Sequence, residues 1–406
     1  MEEIELPDAG VLQAALSSTT DRLAAELASP LPVAPAWGDF EWRAAMAVCV
    51  MHGISGLLAA RLIWGGPPHW QAFLAEQAEQ GRRREARVRE LLARLHAAAI
   101  ATGLPLLALK GSTLLELGVY AAGQRPMSDV DLLARPGDLQ AADRLITLAG
   151  YSVGAAKHRH VAYEGPPLRA TPAFGEHEDN PIKIELHEAV REPLPLREID
   201  ITAELLPAAT RPGLNGYAGS AALMRHLLLH TAGNLCSRSV RLIQLHDIAA
   251  LGARLDPAAW REALAPASDG RAAWWAVAPL TLAQRLFPGQ LPPTPAAALA
   301  ACPSWLRRAS AGYRLADVSL SHLGIPLLPG LEWSRGPVDA LGLAWQRLHP
   351  QEQPQVVQRQ PSLAASAWTQ RPHWQKALSF LRGAPPRAQT LYSVHRALAY
   401  RPTSSA

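Results

Sequence analysis

The chain is poor in the features that would place it outside a reducing, aqueous setting. Its three cysteines, Cys49, Cys236 and Cys302, are far apart and odd in number, which excludes a disulfide framework and offers no metal-ligand spacing. Charge is sparse at 18%, with 39 Lys and Arg against 35 Asp and Glu; so small an excess suits phosphate handling without implying a nucleic-acid partner. The start, MEEIELPDAG, lacks the basic and apolar regions of a signal peptide, and the most apolar segment, AAMAVCVMHGISGLLAARLIW, is interrupted by His52 and Arg61. A soluble, cytoplasmic protein with no membrane partner is the expectation. There is no repeat of solenoid length, no glycine-rich turn followed by Gly-Lys-Ser/Thr, no Gly-x-Ser-x-Gly elbow and no helical metalloprotease motif. What is present is apolar mass: 49% of 406 residues, enough for two or three packed units.

Apolar spacing predicts helices from Pro7 to about Thr102, so residues 1–102 are expected to form an N-terminal helical region. Within it GRRREARVRELLARLH sets Glu85 four before Arg89 and Glu90 four before Arg94, the favourable order for surface ion pairs. A solvated helix face accounts for this; a polyanion-binding face is the functional alternative. Residues 103–205 read as a mixed α/β core: LPLLAL a buried strand, STLLELGVY a short helix, SDVDLLA a strand, PGDLQAADRLITLAG a helix, then HRHVAYE and PIKIELHE as alternating strands. Helices return over 206–290, and prolines at LPPTP, GIPLLPG and QEQPQVVQRQPS divide 291–406 into a Pro- and Trp-rich extension expected to be loosely packed. The fold class is therefore α+β, a small mixed sheet between helical regions.

The chemistry is concentrated in LALKGSTLLELGVYAAGQRPMSDVDLLARP. On a strand, Asp129 and Asp131 point to one face and Val130 and Leu132 to the other. Two carboxylates so placed repel each other unless water, a basic group or a cation offsets the charge; Mg²⁺ suits them, because it binds through one or two carboxylates plus substrate phosphates. In PIKIELHE the same alternation puts Lys183, Glu185 and His187 on a polar face, so Glu185 becomes a third acid if the two strands are neighbours. Gly111 and Ser112 open a helix directly after a strand, where backbone N–H groups could receive an anion, with Lys110 and Arg125 bracketing the place in sequence.

The ordered set, HGISGLLAARL, LALKGSTLLELGVY, RPMSDVDLLARPGDLQAADRLITLAGY, IELHEAV, HLLLHTAGN and LIQLHDIAAL, resembles the DNA polymerase beta type nucleotidyltransferase superfamily, and within it the large bacterial group of nucleotidyltransferase family proteins. The resemblance covers roughly residues 40–260. It implies a polymerase beta-like core in which Gly111 and Ser112 hold a triphosphate, Asp129 and Asp131 bind two Mg²⁺ ions, and Glu185 is the third carboxylate where aspartate is common. The implied reaction moves a nucleoside monophosphate from an NTP to an acceptor, which is a small molecule, a sugar, a peptide, a protein or RNA; double-stranded DNA is not expected. The extra methylene of Glu185 favours a second reading, a nucleotide-binding scaffold with little or no turnover. The arginine-rich helix hints at a third, a toxin-like transferase acting on tRNA.

Other residues carry paired readings. His226 and His230 share a helix face that Asn234 extends; they pack that helix, or His230 and Asn234 reach the nucleotide or the acceptor. Arg238 and Arg241, just downstream, are candidates for the β- and γ-phosphates. His158, His160, His177 and His187 raise a zinc site, but their spacing fits strand alternation better than a metal knot. Tyr120, Trp260, Trp274 and Trp275 read as core or interface anchors, and Asp247 as the partner of a nearby arginine.

Overall fold

The computed structural model describes residues 6–157, 160–169, 171–266, 270–348 and 385–402. Four helices open the chain: α1 (Ala9–Ala28), α2 (Asp39–His52), α3 (Ser55–Arg61) and α4 (Pro68–Ala101). Pro68 sits in the first turn of α4, where a missing N–H costs nothing, and Gly53 in the left-handed region closes α2. Among the described residues no single helix is long and apolar enough to cross a membrane; α2 and α3 reach that length only together, bent by 116° at their break.

The middle of the chain supplies β1 (Pro105–Ala108), α5 (Gly111–Glu116), β2 (Asp129–Leu133), α6 (Leu139–Leu148), β3 (Ser152–Lys157), β4 (His160–Glu164), β5 (Lys183–His187), β6 (Arg191–Leu194), β7 (Arg197–Asp200), α7 (Thr202–Leu205) and β8 (Gly213–Asn215). Six strands form one sheet in the order β3-β4-β5-β2-β1-β8, while β6 and β7 make a separate hairpin. The sheet is mixed. β2 runs parallel to β5 and antiparallel to β1, and β4 is antiparallel to both β3 and β5. Helices then return as α8 (Ser220–Cys236), α9 (Leu242–Gly252), α10 (Pro257–Ala263), α11 (Val277–Leu286), α12 (Ala296–Ala301), α13 (Ser304–Gly312), α14 (Leu315–Val318), α15 (Pro337–Leu348) and α16 (Ala388–Ala399). The architecture is α+β.

Strand alternation divides the core in two. Leu106, Val130, Leu132, Ile184 and Leu186 pack with Val88, Leu91 and Leu95 of α4 and with Ala142, Leu145 and Ile146 of α6. Leu107, Leu109 and Leu133 face the other way, into a larger cluster with α1, α2, α8, α9 and α11. That larger cluster also takes in Trp333 and, from α16, Val394 and Ala397, so the C-terminal region is packed where it is described rather than loose. QEQPQVVQRQPS lies outside the described residues. Trp260, Trp274 and Trp275 are buried in the same cluster, and Tyr120 packs against it.

Two features fix the polar face of the sheet. Arg84, from the arginine-rich helix, is buried and donates from Nε to Met127 O (2.9 Å) and from its two Nη atoms to the carbonyls of Asn180 (2.6 Å) and Pro181 (2.8 Å). It thereby ties the start of β2 to the start of β5. The segment between α5 and β2 is seated against α3 and α4 through glycines: a Cβ on Gly56 would lie 2.2 Å from Gly123 O, and one on Gly81 2.8 Å from the same atom. Gly56→Ala should therefore destabilise the protein by about 1–3 kcal/mol through overpacking, whereas Gly10→Ala in α1, with nothing within 4 Å, should stabilise it by about 0.5–1 kcal/mol. Urea unfolding midpoints of the two variants check the contrast; equal midpoints would refute the close approach.

Candidate active site

The acids come together because of strand register. In the parallel pair β2/β5, Asp131 is the partner of Glu185 and Asp129 of Lys183, so Asp129, Asp131, Glu185 and His187 share the face opposite Val130 and Ile184. Across β5, the antiparallel strand β4 sets His160 against His187, with ring centroids 5.0 Å apart. His158 lies outside the described residues.

Each acid is compensated differently. Asp131 is buried, and its Oδ1 takes both Lys110 Nζ and His187 Nε2 at 3.0 Å. Burial alone would raise its pKa, but Lys110 and His187 outweigh burial and hold the carboxyl well below the usual carboxylate range. Glu185 has His160 Nε2 at 3.4 Å and His187 Nε2 at 3.8 Å; burial pushes it up, and His160 more than reverses that. Asp129 has no direct ion-pair partner among the described residues. Burial and the neighbouring Asp131 raise its pKa, only partly opposed by Lys110.

Lys110 occupies an unusual backbone position. Ser112 N–H donates to Leu109 O (3.2 Å), closing a four-residue turn, and Lys110 at φ 45 ψ −110 fills the place in it that ordinarily takes glycine. Its own N–H donates to Tyr217 Oη (2.8 Å), and Tyr217 Oη is 2.7 Å from His226 Nδ1. Burial, followed by the charge of Lys110, lowers the pKa of His226 far below the ordinary histidine value, so His226 is neutral. Although burial opposes it, the pKa of Lys110 is raised, because Asp131 and Asp129 favour the ammonium form.

The turn leads into α5 at Gly111, against which the Arg125 guanidinium lies: a Cβ on Gly111 would be 2.6 Å from Arg125 Nη1. Arg125 is held by Asp247 through Nε and Nη2, both at 2.8 Å, and Asp247 also accepts from Tyr120 Oη at 2.7 Å. The buried Ser112 Oγ has no hydrogen-bond partner. A buried hydroxyl without a partner, one residue after a glycine that abuts an immobilised guanidinium, is suited to an anionic oxygen.

Not every expected group converges here. Arg241, at the N-cap of α9, donates from Nε to Met51 O (2.9 Å) and lies near enough to Asp129 to feel its charge. Arg238 turns away: it takes the left-handed conformation that ends α8, with Ser239 N–H donating back to Asn234 O. Its guanidinium is 2.9 Å from Glu332 and over the ring of Tyr313. His230 faces the acids from α8, lining a cavity of about 90 Å³ together with Lys110, His160, Glu185, His187 and His226. Its Nε2 accepts from Asn234 and Gln244, each at 3.1 Å. His177 is remote from this cavity and contacts Arg169 and Asp179.

Sequence reasoning gave Tyr217 and Arg84 no site role and set His160 and His187 aside as strand alternation. His187 was visible as a polar-face neighbour of Glu185; its contact with Asp131 depends on the parallel register. For Arg84 the only signal was an arginine among arginines.

Residues 38–288 match the family described as uncharacterised nucleotidyltransferase. The chain belongs to that nucleotidyltransferase family. Membership implies a nucleotide substrate and, usually, a divalent metal. No curated protein and no solved structure matches the chain.

Removing one partner of the buried Lys110–Asp131 pair should be costly. Lys110→Met is expected to destabilise by about 3–5 kcal/mol. A carboxyl with a depressed folded pKa stabilises above the ordinary aspartate value of 3.8, so the deficit should be full at neutral pH and shrink below about pH 4. Asp129 has the opposite sign: its raised pKa makes its charge unfavourable, so Asp129→Asn should raise the melting temperature of metal-free protein at pH 7. Thermal melts across pH check both, and a lower melting temperature for Asp129→Asn would refute the account of the acid face.

Proposed function

We propose that the chain transfers a nucleoside monophosphate from an NTP to an acceptor with release of pyrophosphate, on a core of the DNA polymerase beta type. The observation that carries this reading is the register that sets Glu185 beside Asp131, on a polar face that also holds Asp129 and lies next to the Lys110-Gly111-Ser112 turn. The carboxylates of Asp129, Asp131 and Glu185 would hold the Mg²⁺ ions. Their donor chemistry fits: three hard oxygen donors stand on one face, and Asp129 has no direct partner among the described residues. Bound there, Mg²⁺ would offset charge on the α-phosphate and lower the pKa of the attacking hydroxyl.

The protein groups then have distinct tasks. Ser112 Oγ and the backbone of the Gly111 turn receive phosphate oxygens, and Arg125, immobilised by Asp247, neutralises the triphosphate without having to be ordered on binding. Arg241 adds positive charge on the Asp129 side. Glu185, between Asp131 and His160, acts as a metal ligand beside the acceptor hydroxyl, whose proton leaves to water, and His230 lines the space beyond. The acceptor is a small molecule, a sugar, a peptide, a protein or RNA. Three exposed arginines of α4 pair with its own acids, Arg82 and Arg83 with Glu79 and Arg89 with Glu85, whereas the expected Glu90–Arg94 pair is not formed among the described residues; the pairing of the three weakens the case for tRNA. A cytoplasmic setting fits the three buried free cysteines.

A second reading, a nucleotide-binding scaffold, is favoured by one observation: Lys110 and His187 already satisfy Asp131 Oδ1. The double variant Asp129→Asn, Asp131→Asn separates the two. Pyrophosphate release from each NTP with Mg²⁺ and a cell-extract acceptor pool should fall by at least ~100-fold, the order lost when one charge-stabilising group is removed from an active site. Release undiminished in the variant refutes the transfer reading, and nucleotide binding without release in the parent protein favours the scaffold.

A further inference from the structure

We propose that His160, Glu185 and His187 form a nitrogen-containing cation site that selects a first-row transition dication, typified by Zn²⁺, over Mg²⁺. The site shares the sheet face of the transfer reading but does not depend on transfer taking place.

The three residues come from two paired strands, and one ligand atom from each lies within 4.8 Å of the others. The contacts within the group are poor as hydrogen bonds. His160 Nε2 is buried and has no hydrogen-bond partner; its separation from Glu185 Oε1 is 3.4 Å, and that of His187 Nε2 from Glu185 Oε2 is 3.8 Å. For bonds of 2.0–2.2 Å, two ligands of a tetrahedral zinc are roughly 3.3–3.6 Å apart; the His160 spacing to Oε1 falls in that range, and the His187 spacing, to the other carboxylate oxygen, lies just outside it. Two imidazoles and one carboxylate are a donor set that suits Zn²⁺, whereas Mg²⁺ demands oxygen.

The remaining position opens on the cavity of about 90 Å³ that Lys110, His226 and His230 help to line, roomy enough for water. A site with three protein ligands and one open position is the catalytic rather than the structural kind. His187 Nε2 cannot both donate to Asp131 and bind the ion, so loading the site releases its Nε2 proton if it carries one and leaves Asp131 Oδ1 to Lys110. Glu185 would then serve the transition ion, and Asp129 and Asp131 the magnesium nucleotide.

The test uses tag-free, chelator-treated full-length protein without nucleotide. Calorimetry should show one Zn²⁺ bound per chain at least ~100-fold more tightly than Mg²⁺, and Co²⁺ should give the visible absorption bands of a low-coordinate nitrogen–oxygen site. His160→Gln and His187→Gln should each lose at least tenfold in Zn²⁺ affinity, on the scale of roughly 10–100-fold seen when a metal site's supporting groups are altered, while His177→Gln stays at the parent value. Should the first two variants fail to fold, the Co²⁺ spectrum of the parent protein still decides. Equal affinity for Zn²⁺ and Mg²⁺, or a Co²⁺ spectrum of the six-coordinate oxygen type, overturns the inference. Zn²⁺ held through His160 in a protein that releases no pyrophosphate upholds the inference and counts against the transfer reading; full Mg²⁺-dependent release from both glutamine variants with unchanged Zn²⁺ affinity does the reverse.

Discussion

Charge compensation on one short stretch of sheet governs the structure around it. Asp129, Asp131 and Glu185 stand on adjacent parallel strands, and like charges this close in a partly desolvated setting raise one another's pKa. The fold answers with Lys110 and His187 on Asp131 and with His160 on Glu185, and leaves Asp129 with only distant positive charge. The compensation is thus uneven: Asp131 is over-supplied with donors and Asp129 under-supplied. Positive charge brought to this face would gain most at Asp129, where compensation is weakest.

Such a face survives inside the protein because the sheet separates two cores. Val130, Leu132, Ile184 and Leu186 bury one side against α4 and α6, which anchors the strands without help from the polar side. On the polar side α8 contributes histidines rather than further cations. Burial keeps His226 neutral, so it hydrogen-bonds Tyr217 without adding charge next to Lys110. Arg125 is held in place by Asp247. Positive and negative groups are therefore paired around the site, and Asp129 is the acid without a direct ion-pair partner among the described residues.

The elements carrying clear periodicity were legible in the sequence. β1, β2, β4, β5 and α6 fall where the alternation and capping signals put them, since short apolar runs bounded by glycine or proline have few competing readings. β3, β6, β7 and β8 were not. SVGAAK is small and weakly alternating, REPL and REID are half-exposed hairpin strands that bury only Leu194 and Ile199, and GLN is three residues long. At the site, the shared face of Asp129 and Asp131 followed from period two alone. The proximity of Glu185 depended on strand order, which no local pattern encodes. Arg238 shows the opposite limit: its three-residue spacing from Arg241 suggested a common target, but the left-handed turn that ends α8 sends the two guanidiniums apart. The histidines were underrated for a related reason, because a cluster assembled from three positions on two antiparallel strands has no linear spacing to recognise.

Lys110 shows how these constraints combine in one residue. A side chain at its φ and ψ costs about 1–3 kcal/mol, and glycine would avoid that cost. Glycine there would also strip Asp131 of its ammonium partner, a loss of about 3–5 kcal/mol for a buried pair. The larger number decides, so strain in the turn is tolerated in exchange for the charge. The same turn fixes where the ammonium can be: with its N–H held by Tyr217 and its Nζ on Asp131, Lys110 is restrained at both ends. It is therefore a built-in cation at fixed distance from the acids.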